Sequence, residues 1–400
     1  MTDDGSRSRT RRDVLKASGV LAASGFLAGC TGDSSGGTTT GAGATDTAAA
    51  TTTPTETATE EETETETEAS ESYSVSIEPV GEVTFESVPE TWVANNGSWA
   101  DMGVALGLEP PAGVWLPSRY HTRYYDEIPD VSVDGSSIQK LWGDGGIGKE
   151  QFYELDVDVH VADPNFLLNR GKWAQSDVDE IAENVGPFFG NSIFSRSYPW
   201  HEDYRYYTLY EAFEKLSQVF QRTDRFEAFD GLHEEFQAAL APVVPGRSER
   251  PSAAVVWGSG DQPEQFYPYT IDEGTSFKHL NDLQVKDALA NTDVKNFYES
   301  RGAIDFETLL EVDPAVLLIR GQEAKTADEF QNTVVSFMES HDVASQLTAV
   351  QNGDVYRAGP LYQGPITNLV VTERLARTLY GVEEELFDRE RVADIVAGDV

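Results

Sequence analysis

Cysteine is almost absent from this 400-residue chain, which contains Cys30 alone. A disulfide framework or a cysteine-pair metal or redox site therefore has no basis in the sequence. Cys30 ends a Leu-Ala-Gly-Cys sequence, and before it lies an apolar stretch preceded by the paired Arg11 and Arg12. That stretch is interrupted by polar residues and is shorter than the roughly 20 residues of a transmembrane helix. The pattern predicts a twin-arginine lipoprotein signal over residues 1–29 and a lipid anchor at Cys30.

Residues 31–72 lack Lys, Arg and aromatic side chains and consist of Thr, Ala, Gly, Ser, Pro and acidic residues. Such a composition buries too little apolar surface to offset the conformational entropy lost on folding. We predict that residues 30–72 form a disordered, extended tether between the lipid anchor and the rest of the chain.

Basic residues are scarce, because 29 Lys and Arg stand against 69 Asp and Glu and give a formal net charge of -40. The excess persists in residues 73–400, which contain 24 basic and 56 acidic residues. A charge of this sign and size argues against nucleic-acid binding. In molar salt the Debye length shrinks to about 3 Å, which screens the self-repulsion of the chain. Adaptation to a salty medium therefore explains the composition, and recruitment of a cationic partner is the alternative.

Motifs of common enzyme classes are also missing from residues 73–400, which have no Gly-x-Ser-x-Gly, Walker A or His-Glu-x-x-His segment. The six histidines show no tight spacing, and only His121, near two tyrosines, is a candidate ligand for a bare metal or haem iron. A plain hydrogen-bonding role is the alternative for His121. We predict that the chain is not an enzyme and that its one covalent group is the lipid at Cys30.

Short apolar or β-branched runs alternate with helical patterns throughout residues 73–400, as in α/β folds with mostly parallel sheets flanked by helices. The strand candidates are Thr91–Ala94, Gly113–Leu116, Ile138–Trp142, Val157–Ala162, Val185–Phe189, Ala253–Trp257, Ala315–Arg320 and Asp354–Ala358. Between the two sets of strands, residues 204–240 repeat apolar side chains at helical spacing. We predict two α/β lobes, residues 73–202 and 242–400, joined by one long rigid helix over residues 203–241.

One sequence unit occurs twice, at an offset of 157 residues. Glu150, in the sequence Ile-Gly-Lys-Glu, corresponds to Glu307 in Ile-Asp-Phe-Glu, and a Glu-hydrophobic-Asp segment and a buried strand follow each. Equivalent helix-turn-strand units in the two lobes are the better explanation. Chance similarity within an acidic chain is the alternative.

Four segments carry a resemblance to a known family: residues 99–107, the repeated Glu units, residues 306–318, and the Val-Gln-Asn-Gly-Asp-Val-Tyr sequence of residues 350–356. Over residues 83–380 the chain resembles the solute receptors that serve ABC importers of iron-siderophores, haem and cobalamin. The resemblance implies two α/β lobes joined by a rigid helix, with the ligand bound in the cleft between them. Residues 165–207 depart from the family, since they are longer and more aromatic than usual.

The function implied by this resemblance is capture of a ferric siderophore, a small-molecule iron chelate, and its delivery to an ABC permease with its ATPase. Together with the signal and the anchor, it implies a monomeric receptor on the outer face of the cytoplasmic membrane. Receptors for haem or cobalamin with the same fold are alternatives. A non-transport envelope or adhesive protein is the alternative from another class.

Ligands of open α/β sheets bind beyond the carboxyl ends of the strands, so the loops that follow the strands supply the candidate cleft residues. Aromatic rings there would stack on an apolar or conjugated chelate, and arginines would hold carboxylate, catecholate or phosphate oxygens. The predicted ligand-binding residues are Trp99, Arg119, Tyr120, Trp142, Arg196, Trp257, Tyr267, Tyr269, Arg320 and Tyr362. Core packing for the aromatics and surface ion pairs for the arginines are the alternatives.

Glu150 and Glu307 match the acidic residues that, in the resembled family, dock the receptor to arginines of the permease. Two equivalent charges suit a partner with two-fold symmetry. Stabilisation of the helix dipole by a Glu in the first turn, worth about 0.3–1 kcal/mol, is the alternative for each residue.

Overall fold

The computed structural model describes residues 72–143, 146–196 and 198–400. The predicted signal, the anchor Cys30 and all but the last residue of the predicted tether lie outside the described residues. The strands are β1 (Tyr73–Ile77), β2 (Gly81–Phe85), β3 (Trp92–Ala94), β4 (Gly113–Val114), β5 (Gln139–Lys140), β6 (Val159–Val161), β7 (Ser252–Trp257), β8 (Tyr267–Tyr269), β9 (Lys286–Asp287), β10 (Val316–Arg320) and β11 (Val355–Arg357).

Helices follow most of the strands, as the alternating sequence pattern predicts. They are α1 (Gly97–Ala105), α2 (Lys149–Leu155), α3 (Pro164–Arg170), α4 (Gln175–Asn184), α5 (Leu209–Val219), α6 (Thr223–Leu240), α7 (Lys278–Asp282), α8 (Phe297–Ser300), α9 (Phe306–Val312), α10 (Ala327–Phe330), α11 (Ser336–Ser340), α12 (Thr348–Asn352), α13 (Pro365–Tyr380) and α14 (Arg389–Ala397). Among the described residues, no helix is both long and apolar enough to span a membrane.

The first lobe is built on a parallel sheet with the strand order β5-β4-β3-β6. The strand predicted at Val185–Phe189 is wrong, because the structure has only an isolated parallel bridge between His160 and Phe188 there. Pro187 has no N–H to donate, although its carbonyl accepts a hydrogen bond from the His160 backbone at 2.9 Å. The pairing therefore does not extend into a full strand.

The second lobe is built on a five-stranded sheet in which β10 lies between β11 and β7 and pairs with both in parallel. Strand β9 adds to β7 in parallel and β8 pairs with β7 in antiparallel orientation. The three strands predicted for this lobe are confirmed, and their register places the carboxyl ends of β7 and β10 side by side, with Trp257 opposite Arg320. The mixed α/β fold with largely parallel sheets is therefore confirmed.

The segment that links the two sheets is not the single long helix predicted from its apolar spacing. It forms a hairpin of α5 and α6, because Gln221 adopts a left-handed conformation with φ +49° and reverses the chain. The ring centroid of Phe213 lies 5.9 Å from that of Phe229, whereas 16 residues of straight helix would separate them by about 24 Å. Apolar spacing continued across the turn because both helices bury one face against the same core.

The repeated sequence unit folds into two equivalent pieces of structure. Helices α2 and α9 each have seven residues and each ends at an Asp in the left-handed region, Asp156 at φ +44° and Asp313 at φ +43°. A parallel strand, β6 in the first sheet and β10 in the second, begins three residues after each Asp. The predicted equivalence of the two units is confirmed.

The hairpin β1-β2 and helices α13 and α14 come from opposite ends of the described chain and pack on the first lobe and the linking hairpin. Strand β1 packs on α5, and α13 packs on α1, α7 and the linking hairpin. The described residues from Ser72 onwards thus form one compact unit. The lobe boundaries predicted at residues 202 and 242 stay predictions.

Candidate ligand-binding site

Aromatic rings that follow the strands of both sheets form one continuous cluster. Trp115, directly after β4, lies 4.6 Å from Trp142 and 4.4 Å from Phe166, measured between ring centroids. Phe166 lies 6.3 Å from Tyr198, and Tyr198 lies 5.3 Å from Tyr298 of the second lobe. We call the following residues the aromatic cluster: Trp115, Trp142, Phe166, Phe194, Tyr198, Tyr269, Phe297, Tyr298 and Tyr362.

A second set of contacts closes the cluster between the lobes. Phe194 of the first lobe lies 5.2 Å from Tyr362, and Tyr298 lies 5.3 Å from Tyr269. The lobes approach closely at Gly97, where a Cβ atom would lie 3.0 Å from the Tyr120 ring and 3.3 Å from Cβ of Tyr362. Edge-on and tilted ring contacts of this kind pack the aromatic residues of the two lobes against one another.

Arginine side chains cover the rings around the cluster. The guanidinium of Arg119, from the first lobe, lies 4.6 Å from the ring centroid of Trp257 in the second lobe. Arg119 also forms a side-chain hydrogen bond with Tyr362. Arg301, just beyond α8, lies 5.1 Å from the ring centroid of Phe297. These cations give a local positive charge in a strongly acidic protein, and an arginine fork is suited to planar oxyanions.

Arg320 ends β10 and is completely buried between Phe277 and Tyr269, with its guanidinium 4.3 Å and 5.4 Å from their ring centroids. Its Nη2 donates to the Ser276 carbonyl, while Nε and Nη1 have no hydrogen-bond partner among the described residues. Burial lowers the pKa of the Arg320 guanidinium. Two donor atoms of this buried guanidinium therefore lack an acceptor within the described residues, which is uncommon for buried polar groups.

The turn after Arg320 depends on glycine. Gly321 has φ +85°, and a Cβ atom there would lie 2.8 Å from the Trp257 indole. Any other residue would be strained in this conformation and would push the indole away. The sequence Arg-Gly at this strand end therefore holds Arg320 and Trp257 together.

Burial keeps the tyrosines of the cluster in their neutral form. It raises the pKa of Tyr362, while the charges of Arg119 and Arg170 act in the opposite direction. It also raises the pKa of Tyr198 and Tyr269. At neutral pH these hydroxyl groups both donate and accept hydrogen bonds, so they suit neutral as well as anionic oxygens.

Buried polar contacts join the two lobes beside the cluster. The Arg123 guanidinium donates to the carbonyl oxygens of Ala324 and Lys325 at 3.0 and 2.8 Å. The Tyr124 hydroxyl donates to the Glu323 carboxylate, which also pairs with Arg374 at 3.2 Å. Because the charge of Glu323 is fully compensated, this contact stabilises one relative placement of the lobes.

A further contact of this type involves Asp101 of α1. Its Oδ2 accepts hydrogen bonds from the backbone N–H groups of Ile366 and Thr367 at 3.0 and 3.2 Å, so it caps the start of α13. The Tyr125 hydroxyl donates to Oδ1 at 2.7 Å. Burial raises the pKa of Asp101 to about 6 although these hydrogen bonds act against the rise.

The predicted ligand-binding residues fall into three groups. Seven lie in or directly against the aromatic cluster: Arg119, Trp142, Trp257, Tyr267, Tyr269, Arg320 and Tyr362. Trp99 is completely buried within α1, and Tyr120 is buried with its hydroxyl hydrogen-bonded to that of Tyr125 at 2.9 Å, so these two lie beside the cluster and not in it. Arg196 lies elsewhere, over the Tyr206 ring at 5.0 Å and paired with Glu273. Ligand binding by all ten stays a prediction.

Two further predictions concern charged or metal-binding groups. His121 is half-buried, and burial lowers its pKa. Within the described parts of the chain, no group of three or more His, Cys, Asp and Glu side chains is arranged to hold a metal ion. Glu150 and Glu307 are both exposed in the first turns of α2 and α9, so the repeat presents them equivalently.

Sequence reasoning missed several members of the site. Phe194 and Tyr198 lie in the loop after the segment predicted as the strand Val185–Phe189, and nothing in the sequence distinguishes them from the other aromatic residues that follow. Phe297, Tyr298 and Arg301 belong to α8 and its end. This helix follows the two-residue parallel strand β9, which is not among the predicted strands, so the strand-end rule could not find these residues. Trp115 lies inside the predicted strand Gly113–Leu116, whereas β4 ends one residue before it.

Comparison with known proteins agrees with this geometry. The periplasmic binding protein family matches residues 94–362. No curated protein sequence matches the chain. A periplasmic binding protein from Veillonella parvula has a similar structure, with TM-score 0.53, 16% identity and coverage of 78% of this chain and 99% of its own.

Two more solved structures are similar at 16% identity. The iron uptake ABC transporter substrate-binding protein PiuA from Streptococcus pneumoniae has TM-score 0.51, with coverage of 76% of this chain and 96% of its own. SirA from Staphylococcus aureus, complexed with staphyloferrin B, has TM-score 0.50, with coverage of 77% and 98%. The family match spans about two thirds of the chain, from the end of β3 to the aromatic cluster at Tyr362, and the chain therefore belongs to the periplasmic binding protein family.

Proposed function

We propose that this protein is the substrate-binding component of an ABC importer and that it captures a ferric siderophore at the aromatic cluster. The family consists of solute-binding proteins, and similar structures include an iron-uptake receptor and a protein complexed with staphyloferrin B. The observation that carries the proposal is a set of three arginines over aromatic rings. Arg119 comes from the first lobe, and Arg301, Arg320 and the rings come from the second lobe.

The chemistry of these groups favours an anionic chelate. Arg119, Arg301 and Arg320 would donate hydrogen bonds to catecholate or carboxylate oxygens, while the rings beneath them would contact the ligand framework. A bare oxyanion would leave most of the aromatic surface unused. Haem and cobalamin also combine large apolar faces with carboxylate or phosphate groups, and they are the alternative guests of the same site.

Tryptophan fluorescence tests the proposal, because Trp115, Trp142 and Trp257 all lie at the site. The purified protein in molar salt would be titrated with a ferric catecholate and a ferric hydroxamate, and in parallel with haemin and cobalamin. We expect saturable quenching by an iron chelate. Saturation by haemin or cobalamin alone would replace the ligand while keeping the transport function, and no response to all four would overturn the proposed function.

The variant Arg119→Gln, measured in the same titration, tests whether Arg119 contacts the chelate. It removes the cation over Trp257 and its hydrogen bond to Tyr362, so we expect chelate affinity to fall about tenfold or more, the effect of losing a charged hydrogen bond. Arg247→Gln, an exposed arginine after α6, is the matched control and should bind as the parent does. Equal affinities of the two variants would remove Arg119 from the site.

We further propose that Glu150 and Glu307 dock the loaded protein to the permease. Both are exposed and lie at equivalent positions of the repeated unit. The double variant Glu150→Lys/Glu307→Lys should abolish transport in reconstituted vesicles and leave chelate affinity intact. Glu154→Lys/Glu311→Lys reverses two exposed charges on the same two helices and is the control. Equal transport by both double variants would contradict the docking role.

Export by the twin-arginine route and anchoring through Cys30 complete the proposal. Both depend on residues outside the described structure and are inferred from the sequence alone. Cys30→Ser should release the protein from the membrane fraction, and replacement of both Arg11 and Arg12 by Lys should retain it inside the cell. Unchanged fractionation of either variant would contradict the corresponding step.

A further inference from the structure

A cavity lies where the first lobe, the linking hairpin and the second lobe meet. It has a volume of about 540 Å³, within the range of small-molecule sites. None of its lining residues belongs to the aromatic cluster. They are Arg196, Thr208, Leu209, Tyr210, His233, Glu273, Thr275, Lys278 and Asn281.

Three lining residues bring buried polar atoms that have no hydrogen-bond partner within the described residues. They are Nε of Arg196, the Tyr210 hydroxyl and the Thr275 hydroxyl. Thr275 is only 3% exposed, and its backbone N–H is already bound to the Ile193 carbonyl at 3.0 Å. Buried polar groups are almost always paired, so three unpaired groups in one cavity point to an occupant.

The charges of the lining define what that occupant is. Nη1 of Arg196 pairs at 3.1 Å with Glu273, whose side chain is 82% exposed, and this leaves the Nε side of the guanidinium free to donate. Lys278 adds a second cation, held by Asp282 at 2.8 Å. Burial lowers the pKa of His233 to about 3, so its ring, stacked on Tyr210, is neutral.

We propose that this cavity is a second binding site, for a small organic carboxylate. The carboxylate accepts hydrogen bonds from Nε of Arg196 and from the hydroxyls of Thr275 and Tyr210. The apolar part of the ligand packs on Leu209 and the Tyr210 ring. Arginine next to hydroxyl donors suits the planar, two-oxygen geometry of a carboxylate better than that of a halide ion.

This site goes beyond the proposed transport function and does not depend on it. Its lining comes from the first lobe, the linking hairpin and the second lobe. A change in the orientation of the lobes would move these three parts relative to each other. The occupant therefore contacts the first lobe through Arg196, the linking hairpin through Tyr210 and the second lobe through Thr275.

The probe for the test is 4-fluorobenzoate, with 4-fluorobenzyl alcohol as its neutral counterpart, followed by ¹⁹F NMR of the purified protein in molar salt. With about ten non-hydrogen atoms, the acid should bind with a dissociation constant of about 1 mM, and the alcohol should bind at least tenfold more weakly. Arg196→Gln should weaken binding of the acid about tenfold, and Thr275→Val, which removes only an unpaired hydroxyl, about threefold.

Two further variants locate the probe. Arg205→Gln removes an exposed arginine of the same loop, outside the cavity lining, and should leave binding unchanged. Arg119→Gln alters the aromatic cluster and should also leave it unchanged. Loss of binding in Arg119→Gln but not in Arg196→Gln would place the probe in the cluster and overturn the proposal. Absence of saturable binding, or equal binding of acid and alcohol, would overturn it as well and would indicate that water fills the cavity.

Discussion

Asp163 and Arg320 occupy equivalent positions of the two lobes, since the repeat offset of 157 residues relates one to the other. Both are buried, Asp163 just after the parallel strand β6 and Arg320 at the end of the parallel strand β10. Asp163 accepts hydrogen bonds from the Tyr204 and Ser192 hydroxyls and from the Asn165 backbone, at 2.5, 3.0 and 2.9 Å. Arg320, in contrast, has two donor atoms without a partner among the described residues.

The same backbone position therefore has a charged side chain with different roles in the two lobes. In the first lobe the charged residue at the strand end is satisfied by its own loop and holds that loop in place. In the second lobe the charged residue packs between rings and keeps free donors. A repeated fold thus fixes where a strand ends, while the side chain at that end decides whether the position stabilises the protein or binds a guest.

Among variants that test this difference, the largest effect is expected for Asp163 of the first lobe, on the free energy of unfolding. Asp163→Ala would leave the Tyr204 hydroxyl, the Ser192 hydroxyl and the Asn165 N–H without their acceptor, at about 1–3 kcal/mol for each group that stays buried. We expect a loss of about 4 kcal/mol in the free energy of unfolding, measured by urea denaturation in molar salt. Asp179→Ala, on the exposed face of α4, should change it by less than about 0.5 kcal/mol. Similar midpoints for both variants would show that Asp163 is not structural.

The next effect concerns Glu323, three residues beyond Arg320, which is buried but fully paired. Burial alone would raise the pKa of Glu323, but the Arg374 charge and the Tyr124 hydroxyl hold it at about 2, below the ordinary value of 4.5. Its contribution to stability is therefore present above pH 4.5 and lost as the pH falls from 4.5 towards 2. The shift corresponds to a contribution on the order of 3 kcal/mol.

Urea denaturation of Glu323→Gln as a function of pH checks this assignment. The variant should be less stable than the parent at pH 7, and the difference should shrink between pH 4.5 and pH 2. Glu311→Gln on α9, which is exposed, is the matched control. A constant difference between Glu323→Gln and the parent across this range would contradict a contribution from ionised Glu323.

The sequence predicts the strands and helices of the molecule better than it predicts the residues of the candidate ligand-binding site. Runs such as Ala-Val-Val-Trp before Gly258 and Val-Leu-Leu-Ile-Arg before Gly321 are buried on both faces, and their strands are found within one residue of the prediction. The repeated Glu units are equally clear because helix, left-handed Asp and strand are local features. The break at Gln221 was missed because a left-handed turn between two amphipathic helices does not interrupt their apolar spacing.

The site is harder to predict because its members are brought together by tertiary contacts. Arg119 and Trp257 follow strands of different sheets, and only the packing of the lobes places one over the other. The prediction groups Arg196 with Arg119 and Arg320 because each lies at or beyond the end of a predicted strand. The strand predicted before Arg196 is only an isolated bridge, and the Arg196 side chain lies with Tyr206 and Glu273. Sequence position gives the loop to which a side chain belongs but not the direction in which it points.

A smaller effect is expected at Arg320 itself. Arg320→Met keeps an unbranched side chain between Tyr269 and Phe277, and it removes a charge with one hydrogen bond to the protein, so the free energy of unfolding should change by about 1 kcal/mol or less. Chelate affinity, measured by the same fluorescence titration, should fall 10–100-fold, about 1.4–2.8 kcal/mol. Arg377→Met, a half-exposed arginine of α13, controls for the loss of charge. Unchanged affinity with a large loss of stability would give Arg320 the role assigned here to Asp163.

The smallest effect comes from the two left-handed Asp residues that end the repeated helices. Glycine adopts this conformation without strain, so Asp156→Gly should raise the free energy of unfolding by about 0.5–1 kcal/mol, because the Asp156 side chain has no hydrogen bond among the described residues. Asp313 instead accepts hydrogen bonds from the Thr348 N–H and hydroxyl, both at 2.8 Å. Asp313→Gly gains the same relief but loses these two bonds, and we expect it to be less stable than the parent by up to about 1 kcal/mol. Urea denaturation gives the change in the free energy of unfolding for each variant. Changes of opposite sign would show that the two repeats share a backbone conformation but differ in their side-chain contacts. Changes of the same sign would mean that the hydrogen bonds to Thr348 contribute nothing to stability.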